Sequence, residues 1–351
     1  MTRKAIFIAV LFWAIGACLG QTTAPSPSAP PRFSTVYVAH NPAAIEDYET
    51  NARIIHGMVD RLVMAVTGQG DIAKAWASLV GPKDKIGIKI SAEGGELFTT
   101  HRDVVKAIVD GLAAAGHSRD NIIVWDRTIG GAKEAGYKTN APDYQLKAIA
   151  PRDGYDSKAI FSAPLIGQLI WGDLEFQKES ALGVSGDQNT SNISHFAKIV
   201  STEVTKIINV PVMSDSGTNG IAGCLYNVTI PNLDNWRRFT QTTGFGAESV
   251  AEIYNDPIIS KKVVLNVMDG LIAVYAGGPQ SQPNYSVHHA TLYASKDPVA
   301  IDAIALKKLE QWRAHANFPS TTRLAQYVKY ASDIGLGNSQ TDRIQIKNIG
   351  K

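Results

Sequence analysis

KIGIKISAEGGELFTTHRDVVKAIVDGLAAAGHSRDNIIVWD, residues 85–126, holds two apolar runs with a helix-period segment between them. KIGIKI (85–90) and NIIVWD (121–126) are short and apolar, as buried strands are. Val104, Val105, Ile108, Val109 and Leu112 recur at helical spacing and form one apolar face, with Thr99 or Thr100 as the expected N-cap and Gly116 as the stop. A parallel connection must cross the face of its sheet, so strand, covering helix, strand is the grammar of a parallel sheet. The fold class is α/β: a largely parallel central sheet flanked by helices.

Working outward, FSTVYVAH (33–40) reads as a first strand. Ile54, Ile55, Met58, Val59, Leu62, Val63 and Val66 then make an amphipathic helix that Gly68 ends. EVTKIINVPV (203–212) and KKVVLNVMDG (261–270) are further buried-strand patterns, with NLDNWRRF and AESVAEIYN as short helices between them. The tail adds a strand at 290–294, a helix from Pro298 to about Trp312 and a last helix around 321–332. The middle, roughly 127–200, offers a strand at 158–162, the apolar run IGQLIW (166–171) and many polar turns, and predicts inserted strands and loops. No repeat and no long linker divides residues 33–351, which read as a single α/β domain.

The N-terminus bears on location. Arg3 and Lys4, the apolar run AIFIAVLFWAIGACLG and closing small residues follow the order of an export signal over residues 1–20, with residues 21–32 as a Pro/Ser/Thr-rich spacer. The expectation is periplasmic or secreted. The alternative is a membrane-anchored lipoprotein, because IGAC (15–18) loosely fits a site of acylation on Cys18; membrane association is expected only through that lipid or a retained signal. Removing residues 1–20 takes away Arg3 and Lys4, so the formal charge falls from +2 to 0. No basic tail or patch points to nucleic acid. Beyond the signal Cys224 is the lone cysteine, which excludes an intrachain disulfide and fits a small core residue.

Acids and amides close the buried strands: Asp126, Asn209 and Asp269. The carboxyl ends of strands line the usual ligand crevice of an open α/β sheet, although Asp and Asn also end strands by bonding to turn backbone. Lys89, inside an apolar strand and followed by ISAEGGE, points either to an anion near a glycine-containing loop or to solvent; Glu93 is its counter-charge or a metal ligand. Lys89 and Asp269 are the candidate catalytic pair. His101, in a first helical turn, is a candidate ligand group where unpaired N–H groups gather. Adjacent His288 and His289 face opposite ways on a strand, so one of them at most, His288, joins Asp269 and Asp302 in an oxygen and imidazole set for a divalent metal. Asp297 reads as the cap of the helix that starts at Pro298. GxSxG, GxGxxG and GxxxxGK[ST] are all missing, which disfavours a serine hydrolase, a dinucleotide dehydrogenase and a nucleoside triphosphatase.

Four blocks in order, KIGIKI with HRDVVKAIVDGLAAAG and NIIVWD, NVPVMSDSGTNGIAGCLYN, VLNVMDGLIAVYAGGP and LYASKDPVAIDAIAL, resemble the family designated domain of unknown function 362 over roughly residues 84–306. The resemblance implies an α/β domain and, in many members, iron–sulfur or redox neighbours. This chain has no CxxCxxC segment, so no cluster of its own is expected. Lys89, His101, Asp269, Asp297 and Asp302 fall on family positions. The family pattern resembles NxPKxKTH followed by small residues and KN, whereas Val212, Ser214, Ser216 and Tyr226 stand here where three lysines and a histidine would stand. A small-residue turn remains, in which Gly217, Gly220 and Gly223 permit tight turning. Asn209, Ser214, Asp215, Ser216, Gly217 and Asn227 are the candidate ligand residues of that turn, and without the basic groups they predict a neutral polar or cationic ligand. The functional expectation is an exported protein with a small-ligand or metal-assisted enzymatic site at the sheet crest; the alternative is a noncatalytic ligand-binding or envelope-associated scaffold.

Overall fold

The structure is a computed structural model that describes residues 33–151, 153–162, 193–240, 247–278 and 282–350. The export signal, the spacer and IGQLIW lie outside the described residues. Strand β1 (Ser34–His40) comes first, then β2 (Ile45–Glu46) and β3 (Glu49–Thr50), which pair with each other. Helices α1 (Ala52–Thr67) and α2 (Ile72–Leu79) precede β4 (Ile86–Ile90), and α3 (Arg102–Ala114) carries the chain to β5 (Ile122–Asp126). Helix α4 (Ile129–Glu134) leads to β6 (Gln145–Ala148), and β7 (Tyr155–Ser162) and β8 (Ile193–Ala197) form a separate antiparallel pair. After β9 (Lys206–Val210) come β10 (Val212–Ser216), β11 (Gly220–Ile221) and the short helix α5 (Cys224–Val228). Helices α6 (Ala247–Asn255) and α7 (Pro257–Ser260) lead to β12 (Val263–Val274) and β13 (Ser286–Ser295). Helices α8 (Pro298–His315) and α9 (Gln326–Asp333) and strand β14 (Ile344–Asn348) follow.

Among the described residues the main sheet has ten strands, in the order β14-β1-β13-β12-β9-β4-β5-β6, with β10 beside the far half of β12 and β11 beside β10. From β6 to β12 every neighbouring pair is parallel, as the strand-helix-strand pattern predicts. Side chains alternate across the sheet and divide two cores. Ile86, Ile88 and Ile90 join the core under α1, α2 and α3, whereas Trp125, Ile207 and Met268 join the core under α5, α6, α8 and α9.

Helix α1 shows how sequence sets an element. Asn51 caps it by accepting from the Ile54 N–H, and Gly68 ends it at φ 70°, a left-handed conformation that costs glycine little. Its stripe of Ile55, Met58, Val59, Leu62 and Val63 is fully buried. At ~1.5–3 kcal/mol for each such side chain, that is roughly 8–15 kcal/mol before the entropy of ordering is subtracted.

Three local expectations change, and one strand is added. The cap of α3 is His101, without a side-chain bond, because Thr99 and Thr100 donate their hydroxyls to the Ser91 and Val210 carbonyls at 2.7 and 2.6 Å. The strand expected over 203–212 starts only at Lys206, after a π turn at 199–203, and is broken at Pro211, which has no N–H for a ladder and uses its carbonyl to accept from Asp269 N at 2.8 Å. NLDNWRRF (232–239) forms a single 3-10 turn at 236–239, entered through Asn235 at φ 42°, after another 3-10 turn that ends at Asn232. Strand β14 was not expected: IQIK (344–347) alternates apolar and polar residues over only four positions, and of the five strand residues only Ile344 is buried. Among the described residues no helix is long and apolar enough to cross a membrane.

Candidate functional site

Strands β5 and β6 lie on one side of β4, and β9 and β12 on the other. The chain leaving β4 enters α3 on one face of the sheet, while the chain leaving β9 reaches α5 on the opposite face. Parting of these connections opens a crevice beyond the strand ends, the usual ligand position in open α/β sheets. A cavity of about 200 Å³ lies there, lined from β4 by Ser91, Glu93 and Phe98, from β5 by Asp126, and from β10 and α5 by Ser214, Asp215, Ser216, Tyr226 and Asn227. Val212, Trp236 and Thr240 add to the wall. Val212, Ser214, Ser216 and Tyr226 thus all line one space.

Beneath this cavity a polar row crosses the sheet. Lys89, with no exposed surface, donates to Asp126 Oδ1 and to the Ile90 carbonyl, both at 2.6 Å, and to Asn227 Oδ1 at 3.2 Å. Its three donors are therefore engaged. Asn227 continues the row to Asn209 at 2.8 Å, and Asn209 to Asn266 at 2.9 Å. Asp126 also accepts from the backbone N–H groups of Ala92 and Arg127, at 2.7 Å each. Lys89 and Asn209 are register partners in β4 and β9, so the sheet itself places them in one row. A buried charge is tolerable only when paired and hydrogen-bonded, and here it is both. Lys89 therefore reaches neither solvent nor the cavity with a spare donor.

The lining acids are unequal. Asp126 is matched by Lys89. Asp215, expected to offer oxygens to a ligand, accepts from Gly278 N at 2.9 Å and from Arg313 Nη1 at 3.4 Å; burial raises its pKa, with those two partners pulling it back. Glu93 stands at the mouth as an exposed residue whose carboxyl is crowded by protein. Loss of hydration raises its pKa, with Asp126 adding and Arg127 and Lys89 opposing. Burial and then Glu93 raise the Tyr226 phenol. Ser214 Oγ donates to the Asp215 carbonyl at 3.1 Å, and Ser216 Oγ accepts from Asn219 N at 3.1 Å. Gly217 N donates to the Gly278 carbonyl at 3.3 Å.

Asp269 does not join Lys89. It sits three residues after Asn266 on β12 and so projects to the α3 face, where Oδ2 accepts from His101 N at 2.8 Å and pairs with His101 Nδ1 at 2.9 Å. Burial pulls the His101 pKa down, and the charge and hydrogen bond of Asp269 outweigh it, so the net shift is upward. His101 lines a second cleft of about 460 Å³ with Tyr48, Thr50, Glu96 and Arg102. The loop 91–100 separates the two spaces, and it is closed at its base by Thr100 N to the Ser91 carbonyl at 2.8 Å and by Ser91 N to Thr100 Oγ1 at 2.9 Å.

The set proposed for a metal does not meet. Asp269 is on the α3 face, exposed His288 packs edge-on against Tyr48 at 4.5 Å, and buried Asp302 caps α5 from the opposite face, accepting from Cys224 N at 2.5 Å and Leu225 N at 3.0 Å. Among the described residues no group of three or more His, Cys, Asp or Glu side chains is arranged to hold a metal. Cys224 is buried beside Asp302, as its apolar setting predicts. The structure adds aromatic residues that periodicity could not mark, because Phe98 lies in an irregular loop and Trp236 in a single short 3-10 turn. It also adds the pair His195 and Asp234, 2.7 Å apart, which holds β8 against the segment before Trp236.

Fold and cavity together define an α/β protein with a switch-point pocket. The chain belongs to the family described as Domain of unknown function (DUF362), whose sequence pattern matches residues 85–307. No curated protein matches the chain. A crystal structure of a Thermotoga maritima protein, a Northeast Structural Genomics Consortium target, is similar at a TM-score of 0.41 and 12% identity. The match covers 78% of this chain and 61% of that one.

Proposed function

We propose that this chain is an exported small-molecule-binding protein whose ligand occupies the cavity beyond β4, β5 and β10. The observation that carries this reading is the convergence, at the switch point of a parallel sheet, of side chains from three separate segments on one enclosed space. At about 200 Å³ the space is smaller than the ~300–1,000 Å³ of pockets for drug-sized ligands, so the occupant is a compact polar molecule. The basic, apolar and small-residue order of residues 1–20 supports export, with release into the periplasm or medium, or a lipid on Cys18, as the two forms. Thermal unfolding of the purified protein against a library of small polar metabolites, beside Ser214→Phe to fill the cavity, is the test. Stabilisation of the wild type that Ser214→Phe abolishes, with its own unfolding midpoint unchanged, is expected. Equal stabilisation of both proteins sinks the reading.

An enzymatic reading is favoured by one observation, the His101–Asp269 pair. Asp269 orients the imidazole through Nδ1, which leaves Nε2 for proton transfer at the second cleft. Hydrolysis of generic ester, amide and phosphoester substrates by wild type and His101→Gln discriminates: turnover that survives the substitution removes His101 from the chemistry.

A further inference from the structure

We propose that the switch-point cavity is built for a small organic ammonium ion, its charged nitrogen seated between the Glu93 carboxylate and the rings of Phe98 and Tyr226. This rests on the reading of the cavity as a small-molecule site and names the class of ligand.

Three observations carry it. First, the lining holds the acids Glu93, Asp126 and Asp215 and the aromatics Phe98, Tyr226 and Trp236, and among the described residues it includes no lysine, arginine or histidine. Second, the acids are not equivalent. Lys89 matches Asp126, and Gly278 N with Arg313 holds Asp215, whereas Glu93 has no hydrogen bond or ion pair among the described residues. One negative group at the mouth is therefore left for a ligand. Third, the aromatic faces are electron-rich seats for a cation. Trp236 already carries the Arg127 and Arg237 guanidinium groups, 4.1 and 4.9 Å from its ring centroid. Phe98 and Tyr226 carry no such cation among the described residues, and the Tyr226 hydroxyl has no partner there either.

The alternatives fit less well. An anion would meet Glu93 with no lining donor of positive charge, because Lys89 has all three of its donors engaged below the floor. A neutral polar ligand would leave Glu93 with no cation in contact, in a place where burial and Asp126 disfavour its ionised form more than Arg127 and Lys89 favour it. An ammonium group supplies that counter-charge, and methyl groups on nitrogen would lie against the two rings.

Isothermal titration with three probes of like shape tests the idea: choline, its uncharged carbon isostere 3,3-dimethylbutan-1-ol, and the anion 3,3-dimethylbutanoate. Wild type is expected to bind choline at least about tenfold more tightly than the isostere, and not to bind the anion. In Glu93→Gln that preference should shrink toward unity while the affinity for the isostere is retained. Tyr226→Leu, which keeps Glu93, should weaken choline more than the isostere. Equal affinities of wild type for choline and either of the other probes overturn the ammonium assignment and leave the small-molecule site standing. Binding of none of the three at millimolar concentration also overturns it, and the metabolite screen with Ser214→Phe then decides separately whether the cavity binds anything.

Discussion

Lys89 and Asp302 are both buried and charge-bearing, yet their surroundings give them opposite behaviour. Lys89 has a carboxylate 2.6 Å away, so Lys89→Met removes the counter-charge and strands Asp126 at the cavity floor. Breaking one partner of such a pair costs about 3–5 kcal/mol, which a denaturant titration would read as a lower midpoint. A midpoint within error of wild type would mean that Asp126 is satisfied by the Ala92 and Arg127 N–H groups alone. Asp302 has no cationic partner among the described residues; burial drives its pKa from 3.8 to about 7, with the Leu225 and Cys224 N–H groups pulling it back. A folded pKa above the unfolded one gives stability that is complete below about pH 4 and lost as pH rises toward about 7. The stability of wild type minus that of Asp302→Asn should therefore fall across that window, and a difference that climbs with pH would show an ionised cap. The pKa of Glu93 is also raised, but its effect on binding runs with pH in the opposite sense, because the ligand selects the carboxylate. Burial raises its pKa, and Asp126, Lys89, Arg127 and Tyr226 are the charged or titratable groups that face it. An ammonium ligand favours the carboxylate, so choline affinity should fall as pH drops through the raised value, and Glu93→Gln should remove that dependence.

At the scale of elements, α5 exists where it does because three pieces meet. It spans five residues, too few to be stable alone, and its first N–H groups are satisfied by Asp302 from α8. A Cβ at Gly223 would lie 2.2 Å from Asp302 Oδ1, so the glycine is what lets that carboxylate reach the helix end. Gly223→Ala should cost about 1–3 kcal/mol through this overpacking and displace Asn227 from Lys89. Chemical denaturation gives the first, and loss of ligand-induced stabilisation the second; an alanine variant as stable as wild type would show that Asp302 can move aside. The glycines of this turn were visible in the sequence, and so was the acid of the DPVAID block, but nothing in linear order says that a residue at 302 caps a helix beginning at 224. The same holds for the threonines before α3. They look like caps, and long-range carbonyls took their hydroxyls instead.

For the molecule as a whole, β14 covers the edge of β1 by parallel pairing from Ser34 with Ile344 to Val38 with Asn348. Truncation before Arg343 would expose that edge, whose Val36 and Val38 are buried, and an uncovered apolar strand invites pairing with another chain. The truncated protein should melt lower and associate with increasing concentration, as light scattering would show; a monomer at every concentration would mean that the edge is protected in another way. The sequence by itself determined the parallel strand-helix-strand core, the amphipathic α1 with its Gly68 stop, and the family, because periodicity and caps act within a few residues and survive in linear order. It also placed Asp126, Asn209 and Asp269 at strand ends, Lys89 inside a strand and Asp215 in a turn. Only the tertiary structure decided which way each one faced. Strand side chains alternate by single residues, so Asn266 joins Lys89 beneath the cavity while Asp269, three positions later, pairs with His101 on the other side of the sheet. The cavity wall is likewise a product of packing: Phe98, Tyr226 and Trp236 come from segments with no shared pattern, and only sheet order and the parting of the β4 and β9 connections bring them around Glu93.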